Sequence, residues 1–152
     1  MRKKPELTLN IRAMRCLARR EHSRAELQAK LLPHVQEGDD IAAVLDELEK
    51  RNCLSDERAV AQIVHAKRSR FGVHRIAHEL RRKGIAEELI RNALPDLRET
   101  ELKAAREVWQ SKFGMLPKSD NDKAKQVRFL QSRGFSPNVI FKLLRMTAST
   151  ED

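Results

Sequence analysis

Apolar residues recur at helical spacing along almost the whole chain. Ile41, Val44, Leu45 and Leu48 follow the i, i+3, i+4, i+7 pattern, which places four side chains on one face of a helix. The same kind of spacing begins at Val60, Val73, Leu89 and Val139. Together with the breaks between these stretches, the pattern predicts nine helices, at residues 8–20, 23–33, 40–51, 56–70, 73–83, 86–95, 98–113, 120–133 and 136–146.

Three short segments have the chemistry of a helix end. In each of them, basic residues in the last turn precede a Gly or Asn suited to a left-handed conformation, and an apolar residue then folds back onto the helix. The segments are Lys50-Arg51-Asn52-Cys53-Leu54, Arg82-Lys83-Gly84-Ile85 and Ser132-Arg133-Gly134-Phe135. Helix starts are predicted at Ser23, which forms a capping box with Glu26, and at Ser136, which is followed by Pro137 at the first helical position.

The recurrence of these helix ends predicts a repeat protein. None of the helices can bury its apolar stripe alone, so stacking of three-helix units is the economical arrangement. The predicted fold class is therefore all-α, with three tandem three-helix repeats in an elongated, curved array. We expect the repeats to span residues 1–55, 56–96 and 97–152, with a frayed tail from residue 147 onward.

Composition adds a strong positive charge to this picture. Lys and Arg together number 31 against 22 Asp and Glu, which gives a formal net charge of +9, and the isoelectric point is near 10.0. Such a balance favours polyanionic partners. No apolar run approaches the roughly 20 residues of a membrane span. Cys16 and Cys53 are isolated thiols, which is typical of a reducing compartment. We expect a cytoplasmic monomer with no membrane partner.

Four segments have distinctive sequences beyond the helical period. They are AMRCLARREHSRAEL at 13–27, LDEL at 45–48 with LSDERAVA at 54–61, RI at 75–76 with ELRRKGI at 79–85, and KAK at 123–125 with FLQSRGFS at 129–136. In this order they resemble the three repeats of the RecX family, and the resemblance covers residues 10–146. The sequence departs from the family pattern at Ala59 to Val64, where aliphatic residues stand in place of the usual aromatic ones.

The resemblance implies a regulatory protein that binds the RecA recombinase filament on single-stranded DNA. The family inhibits the ATPase and strand-exchange activities of RecA and lies along the groove of the filament. The resemblance therefore implies RecA and single-stranded DNA as partners, with a role in DNA recombination, DNA repair and the SOS response.

Two groups of basic residues are candidates for contact with RecA or DNA. The first lies in the middle repeat, where seven cations are opposed by Glu79 alone between residues 65 and 83; its members are Lys67, Arg68, Arg70, Arg75, Arg81, Arg82 and Lys83. The second lies in the first repeat and contains Arg12, Arg15, Arg19, Arg20 and Arg24, of which Arg19, Arg20 and Arg24 are the main candidates. Arg and Lys suit phosphate oxygens. The alternative is that these residues form solvated helix faces and complement helix dipoles.

The scarcity of aromatic residues bears on how DNA would be bound. Aromatic residues make up only 4% of the chain, whereas proteins that bind single strands usually stack bases on Tyr, Phe or Trp. We therefore expect any DNA binding to be electrostatic, independent of base sequence and sensitive to salt.

The residues of catalytic or metal sites do not form a recognisable pattern. His74 and His78 have the i, i+4 spacing of a zinc pair but lack a nearby third ligand, and the acidic residues from Glu37 to Glu49 do not spell out an oxygen cage. The glycines are isolated rather than grouped in a phosphate-binding loop. We expect no enzymatic activity, no metal and no cofactor.

Two other functions remain open at this point. Besides regulation of RecA, the alternatives are an independent, sequence-nonspecific DNA-binding protein and a helical adaptor for an acidic protein in which the arginines never meet phosphate. A recognition helix that reads bases would need more exposed polar residues than Asn92, Gln131 and Asn138 supply.

Overall fold

The computed structural model describes residues 7–150, and these residues form α-helices and no strand. The prediction of an all-α fold is confirmed. The helices are α1 (Leu9–Arg19), α2 (Arg24–Leu31), α3 (Ile41–Lys50), α4 (Asp56–Lys67), α5 (Val73–Arg82), α6 (Glu87–Lys112), α7 (Asp120–Ser132) and α8 (Pro137–Thr150), with a 3₁₀ turn at Leu32–His34 after α2. None of these helices is long and apolar enough to span a membrane.

The predicted helix ends are confirmed by their backbone geometry. Asn52, Gly84 and Gly134 have φ values of 62°, 73° and 84°, in the left-handed region. After Gly84, the backbone N–H of Ile85 donates to the carbonyl of Leu80 at 3.1 Å, which is the bond of a Schellman motif. The sequence signal was sufficient here because the terminating residues act within one turn of the helix.

The prediction of separate helices at 86–95 and 98–113 was wrong. The chain is one continuous helix, α6, and Pro95 lies inside it. Pro95 removes one hydrogen bond from the helix, which favours a break at this position. Ile90 and Leu97, on either side of Pro95, are both buried in the same core, and this burial stabilises the helix through the proline.

The C-terminal boundary also differs from the prediction. Helix α8 does not end at residue 146 but continues to Thr150, so residues 147–150 are helical rather than frayed. Residues 151 and 152, the rest of the predicted tail, lie outside the described residues, as do residues 1–6 of the predicted first repeat.

The apolar stripes pack into three separate cores, one for each successive group of helices. The first core lies among α1, α2 and α3 and includes Leu27 and Leu45, and both cysteines are free and half-buried at its edge. The second lies among α4, α5 and the first part of α6 and is centred on Leu80. The third lies among the rest of α6, α7 and α8 and includes Trp109. Because α6 contributes to both the second and the third cores, those two units share a helix.

Candidate nucleic-acid interface

Part of the middle basic group gathers around one aromatic ring. Phe71 lies between α4 and α5, and its ring centroid is 5.3 Å from Lys67 Nζ, 5.8 Å from Arg70 Cζ and 4.2 Å from Arg75 Cζ. A fourth cation comes from the third unit, since Arg133 Cζ lies 5.4 Å from the same centroid. Cations favour the negative face of an aromatic ring, but four of them around one ring also repel each other.

Arg133 extends this group to a second ring. Its Cζ lies 5.3 Å from the centroid of Phe129, and Lys112 Nζ lies 5.5 Å from that centroid. The result is a row of five cations interleaved with two aromatic side chains across the joint between the second and third units. We call it the Phe71–Phe129 strip; its residues are Lys67, Arg70, Phe71, Arg75, Lys112, Phe129 and Arg133.

A close approach of two backbones produces the strip. The N–H of Gly72 donates to the carbonyl of Arg133 at 2.8 Å, and the N–H of His74 donates to the carbonyl of Gly134 at 3.1 Å. A Cβ atom on Gly72 would strike the backbone of Gly134. Glycine is therefore required at Gly72 for packing, and this contact brings Arg133 next to Phe71.

The buried carboxylate of Glu101 holds the same joint. Glu101 is 5% exposed, and its Oε2 accepts a 2.8 Å hydrogen bond from the N–H of Val73, the first residue of α5. Its Oε1 accepts from the hydroxyl of Ser136, the residue before α8, at 2.9 Å. Gly72 has no side chain to cap α5, so a carboxylate from α6 does so and complements the positive end of the helix dipole.

The cations of the strip lack carboxylate partners. Among residues 7–150, no ion pair includes Lys67, Arg70, Arg75, Lys112 or Arg133. Arg75 does donate to the carbonyl of Ser132 at 3.3 Å, which orients its guanidinium and leaves its charge uncompensated. The strip is thus suited to bind a polyanion, whose phosphates would relieve the repulsion among the cations.

Three of the other four predicted cations of the middle repeat contact residues outside the strip. Arg68 donates to Thr100 Oγ1 at 2.8 Å, which ties the end of α4 to α6. Arg81 pairs with Glu87 at 2.6 Å, and Lys83 Nζ lies 3.6 Å from Glu26. Arg82 is exposed, and no described carboxylate lies within ion-pair distance of it. The structure therefore gathers Lys67, Arg70 and Arg75 around Phe71 and leaves Arg82 exposed at the end of α5, whereas the remaining three contact other residues.

The three main candidates of the first repeat are also divided. Arg24 pairs with Asp46 at 2.7 Å and with Glu49 at 3.0 Å. Arg20 makes hydrogen bonds of 3.1 and 2.5 Å to the two carboxylate oxygens of Glu26. Arg19 is exposed on α1 without a described carboxylate partner.

Glu26 joins the first and second units. Burial works against its ionisation, but the hydrogen bond from Arg20 and the charges of Lys83 and Arg20 outweigh burial and lower the pKa of Glu26 to about 2. The predicted capping box is therefore confirmed only in part. Ser23 Oγ accepts from the N–H of Glu26 at 3.0 Å, whereas the carboxylate of Glu26 binds Arg20 instead of returning to Ser23.

Sequence reasoning missed Arg133, Lys112 and the two aromatic rings. Arg133 was noted only as a cation at a helix end, and nothing in the helical period indicates that it meets Phe71 about sixty residues away. A usable signal was Gly72, which precedes a helix instead of ending one and so has no role in a left-handed turn. His74 and His78 are both exposed, and the described residues contain no cluster of three or more potential metal ligands.

Three family models match the chain in order. They are the first, second and third three-helix domains of RecX, at residues 11–48, 55–94 and 99–144. The sequence is 48% identical over 149 residues to a regulatory protein RecX of Leptothrix cholodnii, with 98% of this chain and 95% of the relative covered. It is 42% identical to that of Herminiimonas arsenicoxydans, with 98% and 99% covered.

A solved structure shares the fold. The crystal structure of RecX from Lactobacillus salivarius superposes with a TM-score of 0.76 at 19% identity, over 91% of this chain and 93% of the other. The matches to all three domains, together with the identity to whole-length relatives, establish the family. The chain belongs to the RecX family of regulatory proteins.

Proposed function

We propose that this protein regulates RecA by binding its filament on single-stranded DNA and inhibiting its ATPase and recombinase activities. The observation that carries the proposal is the match to three successive RecX domains from residue 11 to residue 144. The link to RecA comes from the family resemblance. In this proposal the protein is a cytoplasmic binding protein rather than an enzyme, and it acts by occupying the filament.

The Phe71–Phe129 strip supports a contribution of the DNA to binding of the filament. Its five cations have no described carboxylate partner, and phosphates are the complementary charge that a RecA filament on DNA offers in a regular array. Phe71 and Phe129 are only half-exposed, which leaves little area for bases to stack. The DNA contact is therefore electrostatic and independent of base sequence, and the protein surface of RecA supplies the remaining specificity.

The test is inhibition of DNA-dependent ATP hydrolysis by RecA. The strip variant replaces three arginines, Arg70→Gln, Arg75→Gln and Arg133→Gln. The matched control loses the same charge from three ion-paired arginines, Arg24→Gln, Arg51→Gln and Arg81→Gln. We expect the native protein and the control to inhibit at substoichiometric ratios to RecA. The strip variant should need about tenfold more protein for the same effect. Equal inhibition by both variants would remove the strip from the mechanism, and no inhibition by the native protein would overturn the proposal.

The second candidate is a sequence-nonspecific DNA-binding protein that acts without RecA. The observation in its favour is that the strip offers only charge and ring faces, which suit any polyanion. Binding to RecA-coated single strands and to bare single strands at one salt concentration separates the two candidates. Tighter binding to the coated strand supports the regulator, and equal or weaker binding supports the independent DNA-binding protein.

A further inference from the structure

A cleft in the first unit combines cations with a confined space. It lies between α1 on one side and α2 with the following 3₁₀ turn on the other, and its volume is about 340 Å³. This is at the small end of ligand pockets in proteins. The charged side chains on its walls are Arg12, Arg15, Arg19, Arg20 and Lys30, and none of the described residues that line it carries a carboxylate.

The spacing of residues on α1 accounts for this arrangement. Arg12, Arg15 and Arg19 are three and four residues apart, so they lie on one face of the helix beside Cys16. Three like charges on one face of a helix destabilise it, and no described residue supplies an ion pair to any of the three. Arg15 and Arg19 are exposed and Arg12 is half-buried, and all three side chains line the same cleft.

Arg12 has an unfulfilled hydrogen bond. Its Nε is buried and has no acceptor, and it is the single buried side-chain nitrogen or oxygen of this kind within residues 7–150. A buried guanidinium donor without a partner is unfavourable, and proteins rarely retain one unless a bound group satisfies it. This donor therefore indicates a ligand that accepts hydrogen bonds.

Buried His22 positions Lys30 at the wall of the cleft. His22 is 2% exposed; its Nδ1 lies 3.0 Å from the carbonyl of Arg20, and its Nε2 lies 2.9 Å from Lys30 Nζ. A carbonyl can only accept and an ammonium can only donate, so Nδ1 carries the proton and Nε2 accepts from Lys30. Lys30 is thereby positioned by a neutral ring, and its charge remains uncompensated.

Among residues 7–150, Arg20 is the only one of these five cations with a carboxylate partner, Glu26, which is not among the residues that line the cleft. We propose that the cleft binds a phosphate-bearing ligand, with Arg12, Arg15, Arg19 and Lys30 contacting its oxygens. Phosphate fits this donor set better than a carboxylate does, because it brings more charge and three or more acceptor oxygens to several guanidinium groups at once. The cleft is apart from the Phe71–Phe129 strip, and the inference does not rest on the proposed regulation of RecA.

The test is calorimetric titration of the full chain with tripolyphosphate at constant ionic strength. The cleft variant is Arg15→Gln with Arg19→Gln, both exposed positions at which the fold should tolerate the change. The matched control is Arg98→Gln with Arg128→Gln, two exposed arginines on α6 and α7. We expect saturable binding, with an affinity loss of about tenfold or more for the cleft site in the cleft variant and a change within about twofold in the control. Equal loss in both variants, or no saturable binding by the native chain, would overturn the proposal.

The free thiols give a second readout that locates the site. Cys16 lines the cleft and Cys53 lies outside it, and both are half-buried. Bound tripolyphosphate should slow alkylation of Cys16 by neutral iodoacetamide, measured by mass spectrometry, and leave Cys53 unchanged. Slowing of both thiols alike, or of neither, would argue against occupancy of this cleft.

Two sources of phosphate are distinguished by competition. A single-stranded oligonucleotide that displaces tripolyphosphate from the native chain identifies the nucleic-acid backbone as the ligand. An oligonucleotide that binds without displacing it identifies a free phosphate compound. Either result, combined with the loss in the cleft variant, supports a phosphate site in the first unit.

Discussion

At the scale of single residues, Glu26 shows how a local helix signal acquires a long-range role. Its N–H satisfies the cap of α2, while its carboxylate, with a side chain 16% exposed, holds Arg20 and Lys83 together. Lys83 lies at the end of α5, where its carbonyl also accepts a hydrogen bond from Ser23 Oγ at 2.5 Å. Glu26 therefore stabilises the contact between the first and second units.

The lowered pKa of Glu26 predicts a specific acid sensitivity. The folded protein favours the ionised carboxyl, whose pKa falls from 4.5 to about 2. Its contribution is therefore fully present above about pH 5 and is lost as the pH falls toward 2. Glu26→Gln should lower the free energy of unfolding by about 2–3 kcal/mol at neutral pH, with the difference vanishing near pH 2.

Urea unfolding across this pH range tests the prediction. Glu47→Gln is the control, because Glu47 makes an exposed ion pair with Arg51 and should change stability by less than about 1 kcal/mol. A difference between the native protein and Glu26→Gln that does not depend on pH would contradict the role assigned to the carboxylate.

At the scale of the helices, α6 connects the second and third units and also caps α5. Its residue Glu101 receives hydrogen bonds from Val73 and Ser136, so the starts of α5 and α8 depend on a side chain from a third helix. A sequence-based search for caps examines only the residues next to a helix start, and for this reason it missed Glu101.

Replacement of Glu101 should destabilise the joint. Glu101→Ala leaves the buried N–H of Val73 without an acceptor and should cost about 2–3 kcal/mol, whereas Glu101→Gln keeps one acceptor oxygen and should cost less. Glu99→Ala, an exposed change on the same helix, should stay within about 0.5 kcal/mol of the native protein. Urea denaturation measures all three, and similar midpoints for Glu101→Ala and Glu99→Ala would show that the carboxylate is not needed as a cap.

At the scale of the whole molecule, the cations behind the net charge of +9 fall into two groups. Some are held in ion pairs, and the others have no described carboxylate partner. Ion pairs that connect helices or units hold Arg20, Arg24, Arg58 and Arg81, whereas Arg51 pairs with Glu47 four residues before it on α3. The cations of the strip, and those of the first-unit cleft other than Arg20, have no described carboxylate partner. Such unpaired charge can release counterions from a polyanion, whereas the ion-paired arginines contribute to folding.

This division predicts how DNA binding responds to salt. For the native protein, the slope of log K against log salt on single-stranded DNA should be about −3 or steeper. The variant with Arg70, Arg75 and Arg133 changed to Gln should lose about 2 from the magnitude of that slope. The control with Arg24, Arg51 and Arg81 changed to Gln has the same net charge and should keep the native slope. A flat slope in the native protein, or equal losses in both variants, would refute the electrostatic assignment.

The sequence by itself determined the helices, their ends and the family. Helical period, Schellman ends such as the one at Gly84 and side-chain caps such as Ser23 act within a few residues, so a linear pattern contains them. The sequence also identified Lys67, Arg70 and Arg75 as candidates for contact with RecA or DNA. The same local reasoning failed at Pro95, because burial of Leu97 against a distant helix outweighed a local helix-breaking preference.

Only the tertiary structure decided which cations are available. Packing of other helices brings carboxylates near Arg24 and aromatic rings near Arg133. The electrostatic energy of each arginine depends on those distances and on how far its surroundings exclude water. The backbone contact of Gly72 with the third unit, which sets Arg133 beside Phe71, has no counterpart in any local pattern. Charge composition therefore predicts the class of partner, and the packing of the three units selects the residues that can meet it.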